Sequence, residues 1–122
     1  MTAKHAFPSV RRLSTGGDYK RVFAAPDLKA GEKQVLLLAR RNSAPQHRLG
    51  LAVAKKHIST AVKRNLVKRL SREAFRDMQD FEPHLDIVVL SRPAAGSADR
   101  RELREALRRQ FARLEQRAAR LS

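Results

Sequence analysis

Apolar positions along this chain keep two rhythms, and the places where one gives way to the other divide it into helices and strands. From Val62 a helical spacing runs through Leu66, Leu70, Ala74 and Met78, with Val67 beside it. That spacing predicts a core-facing stripe on a helix capped by Ser59 or Thr60, ending near Asp80 ahead of Pro83. A second helix carries Leu103, Ala106, Leu107, Gln110, Phe111 and Leu114 on its buried side, and Asp99 with Glu102 forms its capping box. A shorter one, capped by Asp18, puts Tyr19, Val22 and Phe23 on one side and stops before Pro26.

Between the helices the rhythm shortens. The continuous run Val35-Leu36-Leu37-Leu38-Ala39 suits a central strand, and Asp86 to Ser91 suits another. Leu49, Leu51 and Val53 alternate with Gly50, Ala52 and Ala54, so one strand has a large face and a small one. The small face lets a helix or a ligand approach the sheet closely. Residues 29–33 read as a polar turn, and residues 42–46, with Pro45, as the loop of an antiparallel hairpin joining the first two strands. No repeat or long linker divides the 122 residues, so the expectation is a single domain, 1–122, whose first residues, about 1–16, form a basic flexible arm.

Charge decides what the polar faces are for. Lysine and arginine number 27 against 12 acids, a formal balance of +15. On the long helix Arg64, Lys68, Arg72 and Arg76 form one row, with Asn65 and Arg69 beside it. Like charges four apart repel by roughly 0.2–0.5 kcal/mol per exposed pair, so the row calls for a polyanion to neutralise it. A nucleic-acid partner follows. In the last helix arginines alternate with acids, which reads as a solvated, ion-paired face. No apolar run reaches the length of a membrane span and no secretory signal opens the chain, so the cytoplasm is the expected location.

Catalytic groups do not converge. There is no cysteine, and His5, His47, His57 and His84 are scattered in or beside loops, where they read as surface residues. No phosphate-cradling glycine loop and no helical metal pair is present in the sequence. Any catalysis associated with this chain belongs to a partner.

Several of these features resemble the bacterial ribonuclease P protein subunit when read in order. They are Arg12-Leu13, Tyr19-x-x-Val22-Phe23, the pair Lys55-Lys56 ending a strand, Arg64-Asn65-x-x-Lys68-Arg69-x-x-Arg72-Glu73, and Ile87-Val88-Val89. The resemblance implies an α+β fold, a single-domain α-β sandwich in which a small, mostly antiparallel sheet is covered by helices, with a left-handed β-α-β crossover at the basic helix. Periodicity alone would favour the right-handed connection. It also implies a non-catalytic subunit of a ribonucleoprotein endonuclease, in which a catalytic RNA uses magnesium to remove the 5′ leader of precursor tRNA. Carried onto this sequence, Lys55, Lys56, Lys63, Arg64, Asn65, Lys68, Arg69 and Arg72 are the expected RNA contacts, and Arg12, Tyr19, Phe23 and Leu38 the leader-binding cleft. No protein-bound metal or cofactor and no obligate protein partner is implied. Two positions depart from the family pattern: Leu66 stands where many relatives have an arginine, and Leu38 where some have an aromatic. The competing reading is a ribosomal or general RNA-binding protein without a role in cleavage.

Overall fold

The computed structural model describes residues 11–121. Its elements run α1 (Gly16–Ala24), β1 (Leu28–Gly31), β2 (Val35–Arg41), β3 (Arg48–Ala52), α2 (Ala61–Arg76), β4 (Leu85–Ser91) and α3 (Arg100–Ala118), with a 3₁₀ turn at Pro93–Gly96 before α3. The four strands lie in the order β1-β2-β4-β3. β4 is antiparallel to β2 and parallel to β3, so β3, α2 and β4 form a β-α-β unit with the basic helix as its crossover.

This arrangement corrects the expected hairpin: β2 and β3 do not pair but flank β4. β4 is buried at nearly every position on both faces, whereas the small face of β3 has little to bury, so the more apolar strand takes the centre. The expected polar turn at residues 29–33 is partly a strand. Leu28 and Ala30 point inward and Lys29 and Gly31 outward in β1, an alternation too short to stand out in the sequence.

Period-two alternation sends each strand's side chains to two layers. Val35, Leu37, Ala39, Leu85, Ile87 and Val89 face α2 and α3 in the main core. Leu38 and Val88 face the other way and meet Val22 of α1 and Leu13. A fully buried Leu, Ile, Val or Phe contributes roughly 1.5–3 kcal/mol, so the larger layer carries most of the apolar stabilisation.

The core stripe of α2 differs from the one the sequence suggests. Val67, Leu70, Ser71, Ala74 and Phe75 are buried, while Val62 is 82% exposed and Leu66 only partly covered. A pure four-residue row drifts by about 40° per step around a helix, so a row beginning at Val62 enters the core only in its second half. In α3 the expected cap and stripe both hold: Asp99 accepts the Glu102 N–H at 2.8 Å, and the residues from Leu103 to Leu114 on that stripe are buried. Arg109 forks onto Glu32, at 2.6 and 3.2 Å, with Gln110 donating to the same carboxylate, and this ties α3 to the β1–β2 turn. The Arg109 hydrogen bond, outweighing burial, holds the Glu32 carboxyl below its ordinary value.

Asp18 is not the cap of α1. Thr15 is, its hydroxyl accepting the Asp18 N–H at 3.1 Å. The Asp18 carboxylate instead faces Arg21 at 2.5 Å and Arg48 at 3.6 Å. Burial pushes Asp18 up, but hydrogen bonds from Thr15 and the two guanidinium charges bring it below the usual carboxylate range. Of the expected flexible arm, residues 1–10 lie outside the described residues. From Arg12 the chain is docked on the sheet, with Arg12 bridged to Leu49 and the Leu13 N–H donating to the Leu49 carbonyl at 3.0 Å.

Candidate nucleic-acid interface

Helix α2 starts on Thr60, whose hydroxyl accepts the Lys63 N–H at 3.3 Å, and its first turn contains no acid. The positive end of the helix dipole therefore adds to the side-chain charge there. Lys63 and Arg64 bond to the protein itself. Lys63 Nζ donates to the Gly96 carbonyl at 2.7 Å, and Arg64 Nη1 donates to the Ile58 and Ser59 carbonyls at 2.9 Å each. Arg64 thus secures the turn that leads into α2, while Lys63 ties the start of the helix to the 3₁₀ turn before α3.

Further along, the helix presents two surfaces. Asn65, Arg69, Arg72 and Arg76 line an open groove of about 750 Å³ with Val62, Leu66, Glu73 and Arg100 at the start of α3. Arg69 approaches Glu73 at 4.0 Å, an exposed pair worth little in water. Leu66 forms part of this groove's apolar floor. Lys68 sits half-buried on the next row, and Lys55 and Lys56 are exposed on the turn after β3.

Arg72 belongs to both surfaces. It also lines a cleft of about 230 Å³ with Arg12, Leu13, Tyr19, Leu49 and Leu51. Burial first, and then the nearby positive charges of Arg12 and Arg76, lower the Arg72 pKa. The cleft thus joins the segment before α1, the aromatic side of α1, the strand β3 and the basic helix. Along the sequence these residues fall into three separate groups, 12–19, 49–51 and 72.

Tyr19 closes this cleft against the small face of β3. Its hydroxyl accepts the Leu51 N–H at 3.1 Å, and its ring lies against Gly50. Phe23, one turn on, is 43% exposed, with its ring centre 6.4 Å from that of Tyr19. Leu38 lies beneath α1 at 8% exposure, packed in the apolar layer with Val22 and Val88, so it supplies floor and not an open wall. Leu36, Ala52 and Leu90 are the partly exposed apolar residues of the same sheet face.

Further basic residues cluster where the sequence pattern alone does not group them. Arg21, Arg40, Arg41 and Arg48 border a pocket of about 500 Å³ beside α1, for which the Arg40-Arg41 pair was the available signal. His47, expected on the surface, is 2% exposed, and only its tertiary setting could reveal that. Among the described residues no group of three or more His, Asp or Glu side chains is placed to hold a metal ion, and no helix is long and apolar enough to cross a membrane.

Comparison with known proteins gives a consistent result. The family model described as Ribonuclease P matches residues 7–115. The ribonuclease P protein component of Pectobacterium atrosepticum is 44% identical over 110 residues, which cover 90% of this chain and 92% of that protein. Among solved structures, the RNase P protein of Staphylococcus aureus superposes with a TM-score of 0.75 at 25% identity, covering 86% of this chain and 95% of its own. The RNase P protein of Thermotoga maritima gives 0.65 at 26% identity, over 91% and 97%.

Proposed function

This chain belongs to the ribonuclease P protein family, and on that premise we propose that it joins a catalytic RNA and holds the 5′ leader of precursor tRNA while the RNA removes it. The observation that carries the reading is the shared cleft in which Arg12, Tyr19 and Arg72 meet. A single RNA strand entering it finds aromatic surface and positive charge within one binding site. Every base offers a face for stacking, whatever its identity, and phosphates follow each base at regular intervals.

Within this reading the residues divide the work. Arg69 and Arg72 offer planar forks for phosphate oxygens, while Lys55, Lys56 and Lys68 act as point charges. Asn65 adds a hydrogen-bonding amide in the groove. Arg64 acts chiefly by fixing the turn from which the helix starts, and Lys63 by tying that start to the 3₁₀ turn before α3. Phe23 gives the leader an exposed ring, and Tyr19, fixed by its hydroxyl bond, gives it a rigid one. The protein contributes no catalytic residue. The magnesium that ribonuclease P requires is held mainly by the RNA, and the complex works in the cytoplasm, where its substrate is made.

The test is cleavage of precursor tRNA at low magnesium by a bacterial ribonuclease P RNA, with and without this protein, beside a protein-only control. Correct 5′ cleavage only when RNA and protein are combined is the expected result. Failure to rescue, with salt-dependent RNA binding intact, would replace this reading by that of a general RNA-binding protein.

A further inference from the structure

We infer that the groove between α2 and the start of α3 holds one unpaired nucleotide of the catalytic RNA, its base on Val62 and Leu66 and its phosphate between Arg69 and Arg100. The inference rests on the reading of this chain as an RNA-binding subunit and deepens it, because the arginines of α3 read in the sequence as a solvated face. Arg100 instead lines the α2 groove, a space of about 750 Å³.

Among the described residues, Val62 and Phe23 are the large apolar side chains left exposed. A single exposed valine needs no explanation. Val62, however, lies one helical turn from the partly covered Leu66, and the two meet in a groove whose charged residues are four arginines and one carboxylate. A ligand that matches this lining joins a flat apolar face to negative charge, and an unpaired nucleotide does so. A duplex keeps its bases stacked inside and would set mainly sugar and phosphate on the apolar floor. Asn65, beside Leu66, brings an amide that can both donate to and accept from a base edge.

The walls are fixed before any ligand arrives. At one end Lys63 Nζ donates to the Gly96 carbonyl at 2.7 Å, and Gly96 lies so close to the His57 carbonyl that a Cβ there would come within 2.4 Å of its oxygen. Further along, Phe75 of α2 meets Phe111 of α3 with ring centres 6.4 Å apart. The two helices therefore run side by side, and Arg100 stands at the Val62 end of the groove. Glu73 lies about 16 Å further along α2, so the carboxylate is remote from the place of the base. Its 4.0 Å approach to Arg69 is an exposed contact that a phosphate can displace.

Methyl groups of the full chain are followed by NMR as ribonuclease P RNA, inorganic polyphosphate or polyglutamate is added, and RNA binding of variants is measured against salt. The expected result is an upfield ring-current shift at the Val62 and Leu66 methyls with the RNA and none with either polyanion, since only the RNA brings an aromatic ring. L66S should weaken RNA binding about tenfold with the salt slope unchanged, and V62S should act in the same direction. R100Q should reduce the slope by about one. Val62 is exposed, so V62S keeps the test decisive where L66S fails to fold. Equal methyl shifts with polyphosphate would replace the base by a bare phosphate, and equal shifts with polyglutamate would give the groove to an acidic protein segment. Either overturns the proposal. Unshifted methyls in an RNA complex whose salt slope still falls in K68A would sink this inference and leave the RNA-binding reading intact. A chain that does not bind the RNA at all would overturn both.

Discussion

Tyr19 and Gly50 fit one another so closely that a Cβ at position 50 would come within 2.8 Å of Tyr19 Cζ and 2.9 Å of its hydroxyl. The same hydroxyl holds the Leu51 N–H, so any side chain at 50 displaces both the ring and its hydrogen bond. G50A should therefore destabilise the fold by about 1–3 kcal/mol, as overpacking does. Y19F, which keeps the ring but leaves the amide unpaired, should lose about 1 kcal/mol. Urea denaturation of the two variants checks this, and a G50A midpoint equal to that of the parent would contradict the packing.

Arg64 and Lys68 are neighbours on the basic row but should respond differently to alanine. R64A removes two hydrogen bonds to the turn at Ile58 and Ser59 and should lower stability by about 1 kcal/mol as well as weaken RNA binding. K68A should leave the melting temperature unchanged, weaken binding across RNA sequences and reduce the salt slope by roughly one. Thermal melts beside salt titrations of RNA binding distinguish the two. Equal behaviour in both assays would refute the structural role of Arg64.

His47 should make stability depend on pH. Burial, reinforced by the charges of His84 and Arg11, holds its pKa below the ordinary 6.5, so the folded state disfavours the proton that the unfolded chain accepts. Below about pH 6.5 the unfolded state binds more protons, and stability should fall as the pH falls, until the folded-state pKa is passed. Denaturation midpoints from pH 8 to pH 5 test the slope, and H47Q should flatten it.

Arg48 should be among the costliest surface-proximal positions to truncate. It forks onto Asp86 at 2.8 and 2.7 Å and lies 3.6 Å from Asp18, and the two carboxylate side chains are about 8% and 10% exposed. R48A leaves both without that partner, a loss of about 3–5 kcal/mol for a buried pair. R48K, which keeps the charge without the fork, should fall between R48A and the parent in denaturation experiments.

Elements with a strong local pattern are legible in the amino-acid sequence: the capped α3, the basic α2 and the apolar strands β2 and β4. What escapes it depends on long-range competition. Whether β3 pairs with β2 or β4 is settled by how much each strand buries, and the Leu49–Val53 alternation does not encode that. The four-residue row through Val62 misleads because a helix turns away from such a row, and Phe75, outside it, anchors the core. The candidate RNA contacts are legible as charges. The internal bonds of Lys63 and Arg64, and the meeting of Arg12 with Arg72, are not.

The rim of the sheet has a consequence for life before assembly. On β3 the Leu49 carbonyl already has the Leu13 N–H and the Leu51 N–H already has the Tyr19 hydroxyl. On β1, at the opposite rim, Arg117 donates to the Lys29 carbonyl. A strand from a neighbouring molecule therefore meets occupied positions where it would begin to pair, and edge-to-edge aggregation has no ready starting register. This protection does not rely on charge repulsion, so it persists when salt or a polyanion screens the positive surface. A chain that must wait for its RNA thus keeps its sheet closed while its charges remain open.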